Sequence, residues 1–116
     1  MLGPYSMTFG GDFWHGVRLG LSTYDLGGSV AIVAFNDDGP ICDVTVNPTA
    51  LGAAVPPDCV LVKDYSENNG MLGELARLGL VEPTGQTYRS GVVAIPEARL
   101  LGPLASEVAE RRRDPR

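Results

Sequence analysis

Residues 29–47 have the sequence SVAIVAFNDDGPICDVTVN, which predicts the centre of a β-sheet. Residues 30–35 are apolar at every position, which predicts a central strand of a sheet with both faces covered. The run Asn36-Asp37-Asp38-Gly39 consists of turn-forming residues and predicts a hairpin loop. In the return strand, about 40–47, apolar and polar residues alternate, and we therefore expect Cys42 to point to the core.

A second hairpin is predicted before this one. Apolar and polar residues alternate over 5–9 and again over 13–21, and the intervening Gly10-Gly11-Asp12 tolerates the positive φ of a tight turn. Strict alternation places His15 on the same face as the apolar positions and Trp14 on the opposite face. We therefore expect an exposed Trp14 that anchors a partner protein or a second copy of the chain in a homodimer. The alternative is a Trp14 that the terminal segments of the chain cover.

The main helix is predicted after an irregular connection and a short strand. Residues 47–59 contain three prolines and no clean period, which predicts a connection that leaves the sheet before a short strand. An apolar stripe predicts the helix over Ser66 to Leu78, with Gly79 as the left-handed residue that ends it. Two glycines inside this span weaken a helix. Either the helix begins late, near Asn69, or a neighbouring backbone comes close.

Two further elements complete the predicted fold. Residues 82–85 predict a turn and 86–96 a strong strand, and Pro103 suits the first turn of a short C-terminal helix. The fold class is therefore α+β: an antiparallel sheet of about five to six strands, with one main helix packed on one face and the short C-terminal helix. Residues 1–110 form this single domain, and 111–116 are predicted to be a basic, frayed C-terminal tail.

The composition is that of a folded, acidic domain. The 116 residues are 44% hydrophobic and 20% charged, a balance that excludes a disordered chain, a collagen-like repeat and a membrane span. Of 14 acidic and 9 basic residues, one acid and four bases lie in 111–116, which leaves thirteen acids, five bases and a net charge of −8 in residues 1–110. We expect no direct nucleic-acid binding by this body, no membrane association and a protein partner with a basic surface.

The cysteines and the histidine limit the available chemistry. Cys42 and Cys59 are the only cysteines and His15 is the only histidine, so Cys and His cannot assemble a zinc site within one chain. We expect no metal, no cofactor and two reduced, structural thiols. A catalytic His15 needs a partner such as Asp43 or Cys42 across the sheet, and the alternative is a partly buried strand histidine. The start of the chain lacks signal-peptide features, which predicts a cytoplasmic protein.

The densest polar cluster is KDYSENN, residues 63–69, between a predicted strand and the main helix. Such a junction can present backbone donors, a carboxylate and an amide to a ligand. Three interpretations stay open: a helix start capped by Asp64 and Ser66, a protein-contact surface, and a catalytic or small-ligand site. No catalytic residue is predicted. The predicted partner-binding residues are Trp14, Asp37, Asp38, Asp64, Tyr65, Glu67 and Asn68.

A family resemblance rests on VKDYSENNGML at 62–72, LGLV at 78–81, SGVVAIP at 90–96 and VTVN at 44–47. These runs resemble a family of small bacterial proteins of uncharacterised function, often carried by phages, plasmids and integrated elements, over about residues 15–101. The family has an acid where Asn69 stands, so the capping box that would begin at Ser66 is broken here. The resemblance implies an α+β domain in a mobile-element setting and brings no activity or catalytic residue with it.

Two functional hypotheses follow. The leading one is a small acidic, non-enzymatic protein-binding module that inhibits or adapts a host defence complex, an inhibitor of the anti-CRISPR or anti-restriction type. The alternative is a small-ligand-binding or hydrolytic accessory enzyme that uses His15 or residues 63–69. A deep pocket with a perturbed histidine or acid favours the enzyme, and a flat acidic or aromatic patch favours the inhibitor.

Overall fold

The computed structural model describes residues 1–113 of the chain. It contains eight strands, two α-helices and two short 3-10 helices. The strands are β1 (Leu2–Phe9), β2 (Asp12–Thr23), β3 (Val30–Asn36), β4 (Gly39–Asp43), β5 (Thr45–Val46), β6 (Cys59–Val62), β7 (Val81–Ser90) and β8 (Val93–Leu100). The α-helices are α1 (Met71–Arg77) and α2 (Gly102–Arg113), and the 3-10 helices span Pro48–Leu51 and Ser66–Asn68.

The α+β class with antiparallel strand pairing is confirmed. The strands are divided over two four-stranded sheets, the first in the order β1-β2-β3-β4 and the second in the order β5-β6-β8-β7. The apolar strand β3 lies between two neighbours, as its sequence predicts. The turn predicted at 82–85 is wrong, because these residues belong to β7, and 86–96 is a hairpin of β7 and β8 rather than one strand.

The chain passes from one sheet to the other at Val44, which splits the predicted return strand into β4 and β5. The N–H of Val44 donates to the carbonyl of Ile32 (2.9 Å), and its own carbonyl accepts from the N–H of Lys63 (2.8 Å). The next residue, Thr45, is buried, and its hydroxyl bonds to the Tyr24 hydroxyl (2.7 Å) and accepts from the N–H of Ile32 (3.1 Å). The two sheets are therefore joined by satisfied backbone groups at this crossing.

One hydrophobic core receives side chains from both sheets and both α-helices. Val30, Ile32, Val44 and Leu75 are buried in it. Leu72 and Val93 belong to apolar runs of the sequence and are only partly buried. For Val93 the reason is its position at the start of β8, next to the exposed tip of the β7–β8 hairpin.

Helix α1 begins late, at Met71, and is seven residues long. Its N-cap is Gly70, with a φ of +97°, a backbone conformation that costs glycine little. Gly79 ends the helix as predicted, in the left-handed conformation. The N–H of Leu80 donates to the carbonyl of Leu75 (3.0 Å), and the N–H of Gly79 donates to the carbonyl of Ala76 (3.0 Å). These two bonds together are typical of a helix that ends at a left-handed glycine.

Helix α2 is the longer helix, with twelve residues. Leu104 and Val108 lie one turn apart and are both buried, which holds the helix on the core. The tail predicted from residue 111 begins inside this helix, since 111–113 are helical, and 114–116 lie outside the described residues. Neither α-helix in 1–113 has the length and apolar character needed to cross a membrane.

Candidate functional site

A groove of about 520 Å³ runs along the hairpin of β3 and β4. Apolar side chains line most of it, including Val33, Phe35, Pro40 and Ile41. Val33 is 40% exposed although it lies on an interior strand. On the neighbouring strand β2, a Cβ at Gly20 would lie 3.2 Å from the Phe35 ring, so the absent side chain leaves Phe35 room to lie against the sheet. The outer face of the first sheet thus carries an apolar surface at this hairpin.

Carboxylates lie at both ends of the groove. Asp37 and Asp38 form the loop between β3 and β4 and are exposed, as the sequence predicts. The side-chain oxygen of Asn36 accepts the N–H of Asp38 (3.0 Å) and fixes the loop. Asp43 is exposed at the other end of β4, directly opposite Val33. The groove therefore has a mostly apolar lining that includes Asp43, and we call Asp37, Asp38 and Asp43 its acidic rim; Arg18 of β2 lies opposite Phe35 on the same face of the sheet.

Asn68 connects the predicted polar cluster to this rim. Its side chain is completely buried, and its Nδ2 donates to the carbonyl of Asp43 (2.6 Å), while its Oδ1 is buried without a partner. The N–H of Gly10 donates to the carbonyl of Asn69 (2.8 Å), so the β1–β2 turn packs on the same segment. The structure therefore places Asn68, a predicted partner-binding residue, inside the protein rather than at its surface.

The other residues of the cluster divide between structural and exposed positions. The carboxylate of Asp64 accepts the N–H of Leu72 (2.8 Å), which confirms it as a cap of the helix start. Ser66 does not cap the helix, and its φ is +54°. Exposed Glu67 pairs with Lys63, whose hydrogen bond lowers the pKa of Glu67. The Lys63 ammonium also lies 5.9 Å from the ring centre of half-buried Tyr65. It therefore interacts both with the Glu67 carboxylate and with an aromatic face.

A bulge in β2 reverses the faces predicted for residues 13–15 and leaves those predicted for 17–21 in place. Between the pairs Tyr5–Val17 and Met7–Trp14, β1 advances by two residues and β2 by three, with Gly16 at a φ of +62°. Trp14 therefore packs against the core, half-buried, with its Nε1 buried and without a partner. The expected exposure of Trp14 is therefore wrong, and its role as an anchor for a partner stays a prediction.

Phe13 and His15 take the exposed positions that the bulge creates. Phe13 is 58% exposed, and its ring meets the His15 ring edge to face, with ring centres 4.5 Å apart. His15 is exposed rather than buried in a strand. Its ring neighbour is an aromatic side chain, not the carboxylate or thiol that acid–base catalysis needs.

The two thiols are free, and the pKa of each is raised. Burial raises the pKa of Cys42 to about 11, against a smaller opposing effect of the neighbouring Asn68 amide. Burial and the Asp58 carboxylate raise the pKa of Cys59 to about 11. Cys42 packs against the core, as predicted from its strand position. Neither thiol has the lowered pKa of a nucleophilic cysteine.

A buried carboxylate in the second sheet was not predicted from the sequence. Glu97 is buried, and its oxygens accept hydrogen bonds from Tyr88 (3.1 Å) and Thr84 (2.7 Å). Burial and the Glu97 carboxylate raise the pKa of Tyr88. The signal in the sequence is slight: one acid in the mostly apolar run 93–100, on the same face as Ile95. Three hydrogen-bonding side chains that satisfy one another can hold two strands together without any ligand.

Comparison of the chain with protein-family models, with curated proteins and with solved structures gave no match. The geometry of the groove and the charges around it are therefore the features that bear on function. Among the described residues, no group of three or more His, Cys, Asp or Glu side chains is placed to hold a metal ion.

Proposed function

We propose that the protein is a non-enzymatic protein-binding module that uses the groove of the β3–β4 hairpin. The observation that carries the proposal is the apolar floor of the groove between carboxylates at both of its ends. Protein interfaces combine an apolar centre with a polar rim in this way, and the centre supplies most of the binding energy. The rim of Asp37, Asp38 and Asp43 selects a partner that carries an apolar side chain within a basic surface.

The partner docks through side chains rather than by adding a strand to the sheet. Strand β4 is an edge of the first sheet, and such edges can pair with a strand from another chain. Here Pro40 has no N–H to donate, and the carbonyl of Asp43 is already bonded to Asn68. Because β4 is also short and irregular at Ile41, little of its edge is available for a new ladder.

The alternative, a small-ligand-binding or hydrolytic accessory enzyme, has less support. It would use His15 or residues 63–69. The His15 ring faces Phe13, the Lys63 ammonium pairs with Glu67, and Asp64 caps a helix. These residues are thereby engaged in contacts that explain their positions without a substrate.

The biological setting we propose comes from the family resemblance and from the charge. The V-K-D-Y-S-E-N-N-G run resembles proteins of uncharacterised function that are often carried by phages, plasmids and integrated elements, and such elements carry many short proteins that inhibit or adapt host systems. Nucleic-acid-binding proteins of host defence complexes have the basic surfaces that an acidic rim would attract. We therefore propose an inhibitor of such a complex, of the anti-CRISPR or anti-restriction type.

The test begins with capture of the partner from a host lysate and continues with the purified pair. Association kinetics are measured over a salt series from about 0.05 to 0.5 M, a range in which the screening length shortens severalfold. We expect the association rate to fall with salt and to fall further in Asp37→Lys/Asp38→Lys. Val33→Ser should act mainly on the dissociation rate, because it removes an apolar contact and no charge.

The matched control is Asp25→Lys/Glu82→Lys. It changes the net charge by the same amount at exposed acids that lie away from the groove, in the β2–β3 turn and on β7. We expect a much smaller change in its association rate. An equal loss in both double variants would show attraction by net charge alone, and a rate independent of salt and of both variants would refute the electrostatic rim.

A further inference from the structure

A second cavity, of about 400 Å³, lies between the first sheet and the last turns of α2. It is separate from the groove, because it opens at the end of the sheet where β2 turns into β3. Its apolar wall includes Leu21, Val30 and Val108, of which Val30 and Val108 also belong to the core. The opposite wall carries the side chains of Arg111 and Arg112. The cavity thus joins an apolar interior to two guanidinium groups.

Contacts with neighbouring segments position this basic wall. The Nη2 of Arg112 donates to the carbonyl of Pro57 (2.7 Å), a bond that uses one of the five N–H groups of the guanidinium. Glu107, one turn before Arg111, is bound to the amino group of Met1 (2.7 Å). Glu107 is therefore paired with another cation, although it also lies close enough to Arg111 for that guanidinium to lower its pKa, and Glu110 directly precedes Arg111 on the helix. The Pro57 carbonyl therefore holds the Arg112 guanidinium in place.

We propose that this cavity binds a small amphipathic anion, with its carboxylate or phosphate head at Arg111 and Arg112 and its apolar body against Leu21, Val30 and Val108. Guanidinium groups bind both kinds of head in a bidentate manner. The volume lies within the range of small-molecule sites, about 300–1,000 Å³. The proposal does not depend on the function of the groove.

The C-terminal end of α2 opposes an anion here, as do the carboxylates of Glu107 and Glu110 on the same helix, of which Glu107 is already paired with the amino group of Met1. The carbonyls at the C-terminal end of a helix carry a partial negative charge equivalent to about half an elementary charge. Two guanidinium groups carry two full positive charges on the same wall. They also repel each other when the cavity is empty, and an anion between them relieves that repulsion.

The test uses four probes of known chemistry on the full chain. Octanoate and octyl phosphate carry both an apolar body and an anionic head, 1-octanol carries only the body, and inorganic phosphate carries only the head. We expect the two amphipathic anions to shift the methyl NMR signals of Leu21, Val30 and Val108 in a saturable manner. Octanol and inorganic phosphate should each bind at least about tenfold more weakly, since one half of the interaction is missing.

Variants separate the roles of charge and shape. Arg111→Gln and Arg112→Gln should each weaken octanoate binding about tenfold, whereas the control Arg89→Gln, an exposed arginine on β7, should leave it unchanged. Thr23→Phe fills the cavity and keeps both arginines, and it should abolish the methyl shifts. Circular dichroism checks that each variant is folded. Equal binding of octanoate and octanol, or an equal effect of Arg89→Gln, would overturn the proposal.

Discussion

The indole ring of Trp14 stacks on the ring of Phe9, with ring centres 5.6 Å apart and an angle of 18° between the ring planes. The contact joins the end of β1 to the start of β2 across the first hairpin. It exists because the bulge at Gly16 turns Trp14 towards the core, and the same bulge turns Phe13 outwards. The aromatic residues of this hairpin therefore differ in role: Phe9 and Trp14 stabilise the fold, and Phe13 is exposed at the surface.

The first prediction compares two neighbouring aromatic residues. Trp14→Ala should lower the free energy of unfolding by about 2–4 kcal/mol, because it removes a stacked and partly buried ring. Phe13→Ala should change it by less than about 0.5 kcal/mol, because that ring is mostly exposed. Urea denaturation followed by circular dichroism measures both. Equal destabilisation by the two variants would contradict the reversed faces of the hairpin.

The second prediction concerns the amide that ties the 63–69 segment to β4. Asn68→Ala removes the donor to the Asp43 carbonyl and leaves space in a buried position, so we expect a loss of about 1–3 kcal/mol in the free energy of unfolding. Asn69→Ala is the matched control, because that side chain is exposed and only its carbonyl and N–H take part in bonds. A silent Asn68→Ala variant would show that the segment is held by its backbone contacts alone.

The third prediction uses the carboxylate of Glu74, which joins α1 to β1. It pairs with Arg77 (3.0 Å) and accepts the N–H of Thr8 (2.7 Å), and the bond from Arg77 is the main cause of its lowered pKa. A lowered folded-state pKa contributes stability above the unfolded pKa of about 4.3, and this contribution is lost as the pH falls through the folded-state value.

Glu74→Gln should therefore lower the free energy of unfolding by about 1 kcal/mol at pH 7, and the difference from the wild type should shrink at acidic pH. Denaturation curves at a series of pH values measure this difference. Glu82→Gln, which removes an exposed pair with Arg99, should cost only a few tenths of a kcal/mol. The opposite outcome is that the free energies of unfolding of Glu74→Gln and the wild type differ by the same amount from pH 7 to pH 3. That result would contradict an ion pair as the cause of the destabilisation.

Local patterns predicted the parts of the fold that depend on local chemistry. The hairpin loop at Asp37-Asp38 and the helix end at Gly79 follow from turn and capping preferences, and both are confirmed. The faces of residues 13–15 in β2 could not be predicted, because one extra residue in a strand exchanges the two faces beyond it and a glycine alone does not reveal it. The burial of Asn68 was equally hidden, since its partner Asp43 is 25 residues away in sequence.

The candidate site, like the fold, was predicted only in part. Its rim at Asp37 and Asp38 was predicted, because loop acids are exposed wherever the loop lies. Its floor was not, because Val33 and Phe35 belong to a run that reads as covered on both faces, and only the arrangement of the two sheets leaves one face open. The buried cluster around Glu97 depends on the pairing of β7 with β8, which the sequence suggested as one strand.

The last prediction concerns Cys42 and distinguishes the two functional hypotheses. With a pKa of about 11, its thiolate fraction at pH 7.5 is some hundreds of times lower than that of an unperturbed cysteine with a pKa of about 8.5. In the Cys59→Ser variant, alkylation of Cys42 by iodoacetamide should therefore be on the order of 100-fold slower in the folded chain than in the chain unfolded by urea. The rate should rise about tenfold per pH unit between pH 7 and pH 9, because only the thiolate reacts.

Mass spectrometry of timed samples measures the rate of Cys42 alkylation. Rapid alkylation of the folded chain at pH 7.5 would reveal an activated nucleophile beside the groove, and it would favour the hydrolytic enzyme over the binding module.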